Sequence, residues 1–397
     1  MLFLNSIRID KNLMAKKVLI VYFNNITPTD SGSKKLTFSH IKHLHENGFE
    51  ITLFCCLQED RNDNEINKYV NHLIEFDNPL NNKVLKVLNK LDNTRKSNPF
   101  DQNKLFKNKL SKALTPLYDS HDYILFHYVD FSAVLPEKVL EKSMVFTHDL
   151  MFYRLNEFTN KDGSRNAFIK EVKNNEVALL KRFKKVLVVA DYEKEILINE
   201  GIAADKIIDV GAPQELVDLK EDKFENYFGF IGGNYSQNVE AIEEFIENYY
   251  PFFQDKTFAI AGGVCKLPEV KKLASKYPNI SLLGYVADLK DFYSSVRFIT
   301  AALPVGSGIK IKVVEGMAHG KIILGTKKAY EGINPTNLTE AIVLEEFTSI
   351  EVLKAKLVEL ENKENYHTLA NGAKGLIKRR FGFDKLFKPL EDYMNNN

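Results

Sequence analysis

The chain has little that would tie it to a charged or membrane-spanning partner. It carries 54 Lys+Arg against 53 Asp+Glu over 397 residues. A balance of that kind argues against a dedicated nucleic-acid binder, whose basic face shows as a strong positive excess. No run approaches the ~18 consecutive apolar residues that a membrane-crossing helix needs. There are three cysteines, Cys55, Cys56 and Cys265. So sparse and odd a set is no disulfide framework, and spaced Cys/His pairs for a structural zinc are missing. They read as small buried apolar residues in a reducing compartment. The first strand is not followed by G-x-G-x-x-G, which sets a dinucleotide oxidoreductase aside. Residues 1–13 lack the long apolar stretch of a signal peptide; Met14 precedes a strand-like run, so residues 1–15 read as a tail.

What is present is 44% hydrophobic residues, enough to exclude global disorder. The length suggests two or three domains. Lys17–Phe23 (KVLIVYF) is a short continuous apolar run, as in a strand buried on both faces of a parallel sheet. A polar loop, Asn24–Ser33, a helical pattern, Lys34–Asn47, and a second buried run, Ile51–Leu57, make a β-loop-α-β opening. Tyr123–His127, Met144–Thr147, Lys185–Ala190 and Ile207–Val210 continue as strands. A second alternation begins with Tyr227–Ile231, after the charged segment Asp218–Glu225, and places a boundary near residue 225. Its strands are Thr257–Ala261, Ile280–Leu282, Phe298–Ala302, Ile322–Gly325 and Ala341–Leu344; its last helices are Ile350–Asn362, Tyr366–Phe381 and Leu386–Asn396. The fold class is α/β.

Asn81–Leu114 stands apart, with nine Lys/Arg against two Asp. Val84, Val87, Leu88 and Leu91, then Phe106, Leu110 and Ala113, recur at helical spacing and predict two basic amphipathic helices split near Pro99. The segment reads either as a solvated helical face or as attraction to an anionic membrane surface.

The segment of densest chemistry is Ala302–Gly332. A strand ends at Ala302, and a loop with Gly306, Ser307 and Gly308 leads through Ile309 into a helix. Glycines there permit close backbone approach of a ligand, and the helix start offers free N–H groups to phosphate. Lys310 and Lys312 add cationic charge, and Glu315, a turn further on, suits a ribose diol. Two glycines and a lysine are equally compatible with a packing turn that carries a surface charge.

The string G-S-G-I-K-I-K-V-V-E-G-M-A-H-G-K, followed by G-T and by Glu331-Gly332-Ile333, resembles the donor-binding signature of GT-B fold glycosyltransferases of the family 4, or group 1, type. Phe228–Phe245, with Gly232 and Gly233, resembles the start of that family's C-terminal domain, although a glycine pair also serves simple strand-to-helix packing. Gly284–Tyr293 (GYVADLKDFY) resembles the segment before the donor loop. In the N-terminal half, Gly32 matches a loop glycine after the first strand. Thr147–Asp149 with Arg154 resembles a strand-end His-Asp motif facing the cleft, and Asp149 equally suits a helix cap. Glu176–Leu180, Val188–Ile196 and Val210–Pro213 resemble the segments leading to the interdomain linker.

The resemblance implies two Rossmann-like domains facing each other across a cleft. The acceptor domain would span 16–222, with the basic insertion, the donor domain 223–380, and a helix at 381–397 would cross back. It implies transfer of a sugar from a nucleotide diphosphate sugar to the hydroxyl of a saccharide or lipid-linked saccharide, with retention, no metal and no further cofactor, in glycan or polysaccharide biosynthesis. Nucleic acid is no expected partner; the expected location is cytoplasmic, peripheral on the inner face of the membrane. His148 and Asp149 would orient the reacting groups, and Lys312 and Glu315 would act on the donor. Gly32, Gly232, Gly233, Gly306, Ser307, Gly308, Ile309, Lys310 and Glu331 would line its site. Two departures stand out. Many relatives have glutamates eight positions apart around the donor loop; Glu315 matches the second, and Ser307 takes the place of the first. Many place Arg and Lys after the first C-domain strand; here stand Asn234, Gln237 and Asn238, leaving the diphosphate to Lys310 and Lys312. The alternatives are a non-catalytic sugar- or nucleotide-binding relative, an inverting transferase with His148 as base, or a sugar-nucleotide epimerase.

Overall fold

A computed structural model describes residues 15–22, 26, 31–56, 63–76, 98–100, 104–129, 132–133, 135–160, 162–219, 221–336 and 339–396. The N-terminal tail at 1–14 and the first of the two basic helices, within 81–97, lie outside the described residues.

Two parallel sheets organise the chain. The first holds β1 (Lys17–Tyr22), β2 (Glu50–Cys56), β3 (His72–Phe76), β4 (Tyr123–His127), β5 (Ser143–Phe146), β6 (Lys185–Val188) and β7 (Ile207–Asp209), in the order β3-β2-β1-β4-β5-β6-β7. The second holds β8 (Asn226–Ile231), β9 (Phe258–Ala261), β10 (Ile280–Gly284), β11 (Val296–Ala301), β12 (Ile322–Gly325) and β13 (Ile342–Val343), in the order β10-β9-β8-β11-β12-β13. Central strands such as β1 and β4 are buried almost throughout, because helices cover both faces and every side chain needs an apolar neighbour. The edge strand β3 exposes His72 and Glu75 and buries none of its residues fully, so it shows no continuous apolar run, and the sequence reading passes over it.

This strand order fixes where a ligand goes. It reverses between β1 and β4 in one sheet and between β8 and β11 in the other. At such a switch point the loops leaving the carboxyl ends diverge and open a crevice. The loops after β1, β4, β5, β8 and β11 carry the residues that the sequence singles out.

Of the basic segment, the second helix is described, at Lys104–Leu114, after a turn at Asn98–Phe100. Leu110 and Leu114 are buried. Lys107 departs from the expected solvated basic face. It is 1% exposed, with Nζ 2.9 Å from the Phe100 carbonyl and 3.3 Å from that of Pro99. Its charge serves the turn below it, since a buried ammonium needs acceptors.

The chain crosses between the halves twice, and the crossings touch. The Gln214 amide donates to the Phe381 carbonyl at 2.8 Å, and a Cβ on Gly211, at φ +52°, would strike the Leu386 side chain. The final helix, Phe383–Asn396, buries Leu386, Phe387, Leu390 and Met394. It ends against the first sheet, where Lys16 Nζ (2.8 Å) and the Tyr123 hydroxyl both donate to the Met394 carbonyl.

Candidate active site

The helix Gly32–Glu46 follows the loop after β1 and is capped by Ser31, whose hydroxyl accepts from the Lys34 amide at 3.4 Å. A Cβ on Gly32 would lie 2.9 Å from Ile311 Cγ1. The glycine thus lets the start of this helix approach the start of the helix Ile311–Ala318 across the cleft. Residues 27–30 lie outside the described residues.

At the ends of β4 and β5 the backbone turns sharply. Tyr128 has φ +69° and His148 φ +62°, a left-handed conformation that side chains rarely adopt and that concentrates at functional sites. The turn stacks the His148 ring on Tyr128, with centroids 4.3 Å apart, and sets it beside Phe146. His148 Nε2 lies 2.9 Å from His127 Nδ1, which is also 3.2 Å from the Thr37 hydroxyl. Behind them His40 is fully buried, with no partner for either ring nitrogen among the described residues. Burial, reinforced by His43, pushes His40 down to about 3. Burial and neighbouring imidazoles also hold His127 well below its usual range; burial, His40 and Arg154 do the same for His148. All three rings are neutral at physiological pH.

Asp149 follows, and it caps no helix. The N-cap of the helix Met151–Thr159 is Leu150, and the N–H groups of Met151 and Phe152 donate to the buried Glu176 carboxylate, each at 2.9 Å. Burial pushes Glu176 up to about 8 against those two bonds. Asp149 instead meets Arg154 through both oxygens, at 3.0 and 3.2 Å, and accepts from the Ser307 hydroxyl at 2.9 Å. Ser307 therefore brings a carboxylate of the opposite half to the place where the family signature has its own.

On the facing side, the loop after β11 enters the helix Ile311–Ala318 with Lys310 as N-cap. Gly308 (φ +62°) donates its amide to the Tyr192 hydroxyl at 2.8 Å. A Cβ on Gly306 would press on the Lys310 side chain at 2.9 Å. Ile309 is buried against Gly332. Lys310 is not open to a ligand's phosphate: its Nζ bonds the Gly308 carbonyl at 2.9 Å and Glu331 at 3.2 Å. Glu331 also accepts from the Tyr153 hydroxyl at 2.8 Å and from Lys328 at 3.1 Å. Burial lowers Lys310 despite the opposing pull of Glu331. Burial would raise Glu331, but Lys310, Tyr153 and Lys328 together keep it below the usual carboxylate range.

Lys312 sits differently. Its ammonium lies over the Phe230 ring, 4.3 Å from the centroid, and donates to the Asn238 side-chain oxygen. No carboxylate neutralises it among the described residues, and burial pushes it down to about 7. Asn238 in turn donates to the Gly233 carbonyl at 2.7 Å and fills the space where a Gly232 side chain would stand. The glycine pair, Asn238 and Lys312 are one packed unit. A turn further on, Glu315 Oε1 accepts from Lys35 at 2.6 Å across the cleft, and Oε2 from the Tyr293 hydroxyl at 3.1 Å.

Sequence reasoning missed Lys35, Thr37, His127, Tyr153, Tyr192 and Lys328. Apart from the Lys328–Glu331 pair, each acts on a residue distant in the chain, as Lys328 also does on Glu157 at 2.8 Å, so no local pattern marks it. Tyr293 closes the quoted GYVADLKDFY segment and was the one with a signal. Among the described residues no group of three or more His, Cys, Asp and Glu is arranged to hold a metal ion.

Solved structures align with nearly the whole chain. TarM of S. aureus is 10% identical with a TM-score of 0.70, over 98% of this chain and 100% of TarM. Sucrose-phosphate synthase from Thermosynechococcus elongatus is 10% identical with a TM-score of 0.69, over 96% of this chain and 98% of the synthase. Anabaena HepE, solved in complex with UDP and glucose, is 12% identical with a TM-score of 0.65, over 96% of this chain and 100% of HepE. The protein has the GT-B fold: two facing parallel α/β halves with a final helix that crosses back. Residues 225–360, which hold β8 to β13 and the donor loop, match the family model described as glycosyl transferases group 1, and the chain resembles the GT-B glycosyltransferases of that type. No curated protein sequence matches it.

Proposed function

We propose that the protein is a glycosyltransferase that moves a sugar from a nucleotide diphosphate sugar to the hydroxyl of a saccharide or lipid-linked saccharide. The observation that carries this reading is the start of the helix Ile311–Ala318. There Lys312, with no carboxylate partner, stands beside free backbone N–H groups, one turn from Glu315 and across the cleft from His148 and Asp149. Helix N-terminus and ammonium together suit a diphosphate. The HepE structures, described as complexes with UDP, with UDP and glucose and with UDP-glucose, support the same reading.

In this mechanism departure of the nucleotide diphosphate is the hard step. Lys312 and the N–H groups at the start of the helix Ile311–Ala318 stabilise the charge that develops on the leaving phosphate, the Gly308 amide being committed to Tyr192. Lys310 serves the loop, pinning it to Glu331, so the cationic work falls on Lys312. The carboxylate of Glu315 keeps lone pairs for the ribose diol while Lys35 and Tyr293 hold it in place. His148 and Asp149 orient the sugar, and a leaving phosphate oxygen takes the acceptor's proton, which gives retention without a metal or a protein nucleophile. In this reading 16–222 is the acceptor side, 223–380 the donor side and 381–397 the crossing helix.

A panel of nucleotide sugars, read by released nucleoside diphosphate, tests it. At least one donor should turn over, and Glu315→Ala should abolish that turnover; unchanged turnover in Glu315→Ala removes the donor site assigned here. Proton NMR of the product reads the anomer, and an inverted one excludes the retaining step. No helix among the described residues is long and apolar enough to cross a membrane. Peripheral attachment through 81–114 remains part of the proposal, carried by exposed lysines such as Lys109 and Lys112 rather than by Lys107. Flotation should show more protein on anionic than on neutral liposomes, and equal partitioning ends that part.

A further inference from the structure

The buried histidines beneath the cleft make a proton-counting problem with one solution. His127 Nδ1 and His148 Nε2 face each other at 2.9 Å. Both rings are neutral, so one hydrogen lies between them, and its owner decides what His148 offers a ligand.

Three contacts decide the owner. The Thr37 hydroxyl donates to the Ser33 carbonyl at 2.9 Å, so its oxygen, 3.2 Å from His127 Nδ1, is left to accept. That contact calls for a hydrogen on Nδ1. The other nitrogen of His127, Nε2, is buried with no partner among the described residues. With the proton on Nδ1, Nε2 is an unused lone pair. With the proton on Nε2, a buried N–H has no acceptor, which costs about 1–3 kcal/mol and is the rarer defect in proteins. In that arrangement the Thr37 oxygen and Nδ1 would also meet lone pair to lone pair. His127 therefore carries its hydrogen on Nδ1 and shares it between Thr37 and His148.

We infer that His127 is a positioning residue that holds His148 in the tautomer protonated at Nδ1, so that His148 presents an N–H donor to an oxygen of the substrate. The inference rests on the reading of this cleft as a sugar-transfer site. His148 Nε2 is occupied by His127, while its Nδ1 meets no partner among the described residues on a half-buried ring. Stacking on Tyr128 and packing on Phe146 fix the plane of the ring, and thereby the direction of that N–H. A ring so protonated grips a hydroxyl or phosphoryl oxygen and has no lone pair on the cleft side with which to act as a base.

The test uses the full chain with isotopically labelled histidine and long-range proton–nitrogen correlation spectra, which separate the protonated ring nitrogen from the bare one. Signals lost in His148→Gln assign that residue. At neutral pH His148 should carry its hydrogen on Nδ1. His127→Leu should let the Nε2-protonated form appear and lower kcat for the donor that turns over by roughly ten- to hundredfold, the scale seen when an outer partner of a functional imidazole is lost. His127→Asn, whose amide N–H replaces Nδ1–H, should restore both the tautomer and most of kcat, which a merely structural role would not do. Wild-type His148 protonated on Nε2, or an unchanged tautomer in His127→Leu, overturns the inference. The expected tautomer in a protein that turns over no nucleotide sugar would instead sink the sugar-transfer reading and leave the assignment of His148 standing.

Discussion

The two walls of the cleft share a fold and answer opposite electrostatic demands. The N-terminal wall carries three uncharged imidazoles, the buried His40 and His127 and the half-buried His148, beside the paired Asp149 and Arg154. The C-terminal wall is built on lysines, and Lys310 is answered by a carboxylate while Lys312 is not. A neutral wall suits sugar hydroxyls; a wall with one uncompensated ammonium suits phosphate. In the proposed function the contrast separates recognition of the sugar from removal of the leaving group.

The comparison breaks most visibly at Lys312. Lys312→Ala should lower kcat/KM by about a thousandfold, the upper range for loss of one group that stabilises a developing anion; steady-state release of nucleoside diphosphate measures it, and a loss below tenfold would show that the charge is met elsewhere. Glu331→Gln leaves the buried Lys310 without its carboxylate. Breaking a buried pair from one side should cost about 3 kcal/mol of stability, seen in the denaturant midpoint. Nucleoside diphosphate affinity should depend on pH. Below about 7 Lys312 is already charged and the affinity is level. Above it, proton uptake accompanies binding, and Kd should weaken by up to about tenfold per pH unit, as calorimetry in buffers of different ionisation heat would show. The smallest effect belongs to His40→Phe, which replaces two orphaned nitrogens among Phe146 and Phe387. It should stabilise by about 1 kcal/mol at pH 8. The sign at lower pH follows from His40 lying near 3 when folded and 6.5 when unfolded. Between those values the unfolded chain binds the extra proton, so the wild type loses stability as pH falls through 6.5 and the variant's advantage grows. Thermal melts at pH 8 and pH 5 check it.

How much was legible in the sequence follows the range of each interaction. The buried strands were, because a continuous apolar run such as KVLIVY announces itself within six residues. The edge strand His72–Phe76 was not, since His72 and Glu75 are exposed and interrupt its apolar run. The donor loop was legible as glycine, lysine and glutamate at fixed spacing. That Lys310 and Lys312 have different tasks was not, because Glu331 and Asn238, which separate them, come from opposite directions along the chain. Ser307 looked like a missing carboxylate until Asp149 arrived from the other half.

The two crossings near Gly211–Gln214 and Phe381–Leu386, one extended and one a break between two helices, have a mechanical consequence. Two links side by side restrain sliding and twisting of one half on the other more than rotation about the line through both. Across the cleft the halves also meet through the Lys35–Glu315, Asp149–Ser307, Tyr192–Gly308 and Tyr153–Glu331 contacts. Rotation about the two links that widens the cleft has to break these contacts.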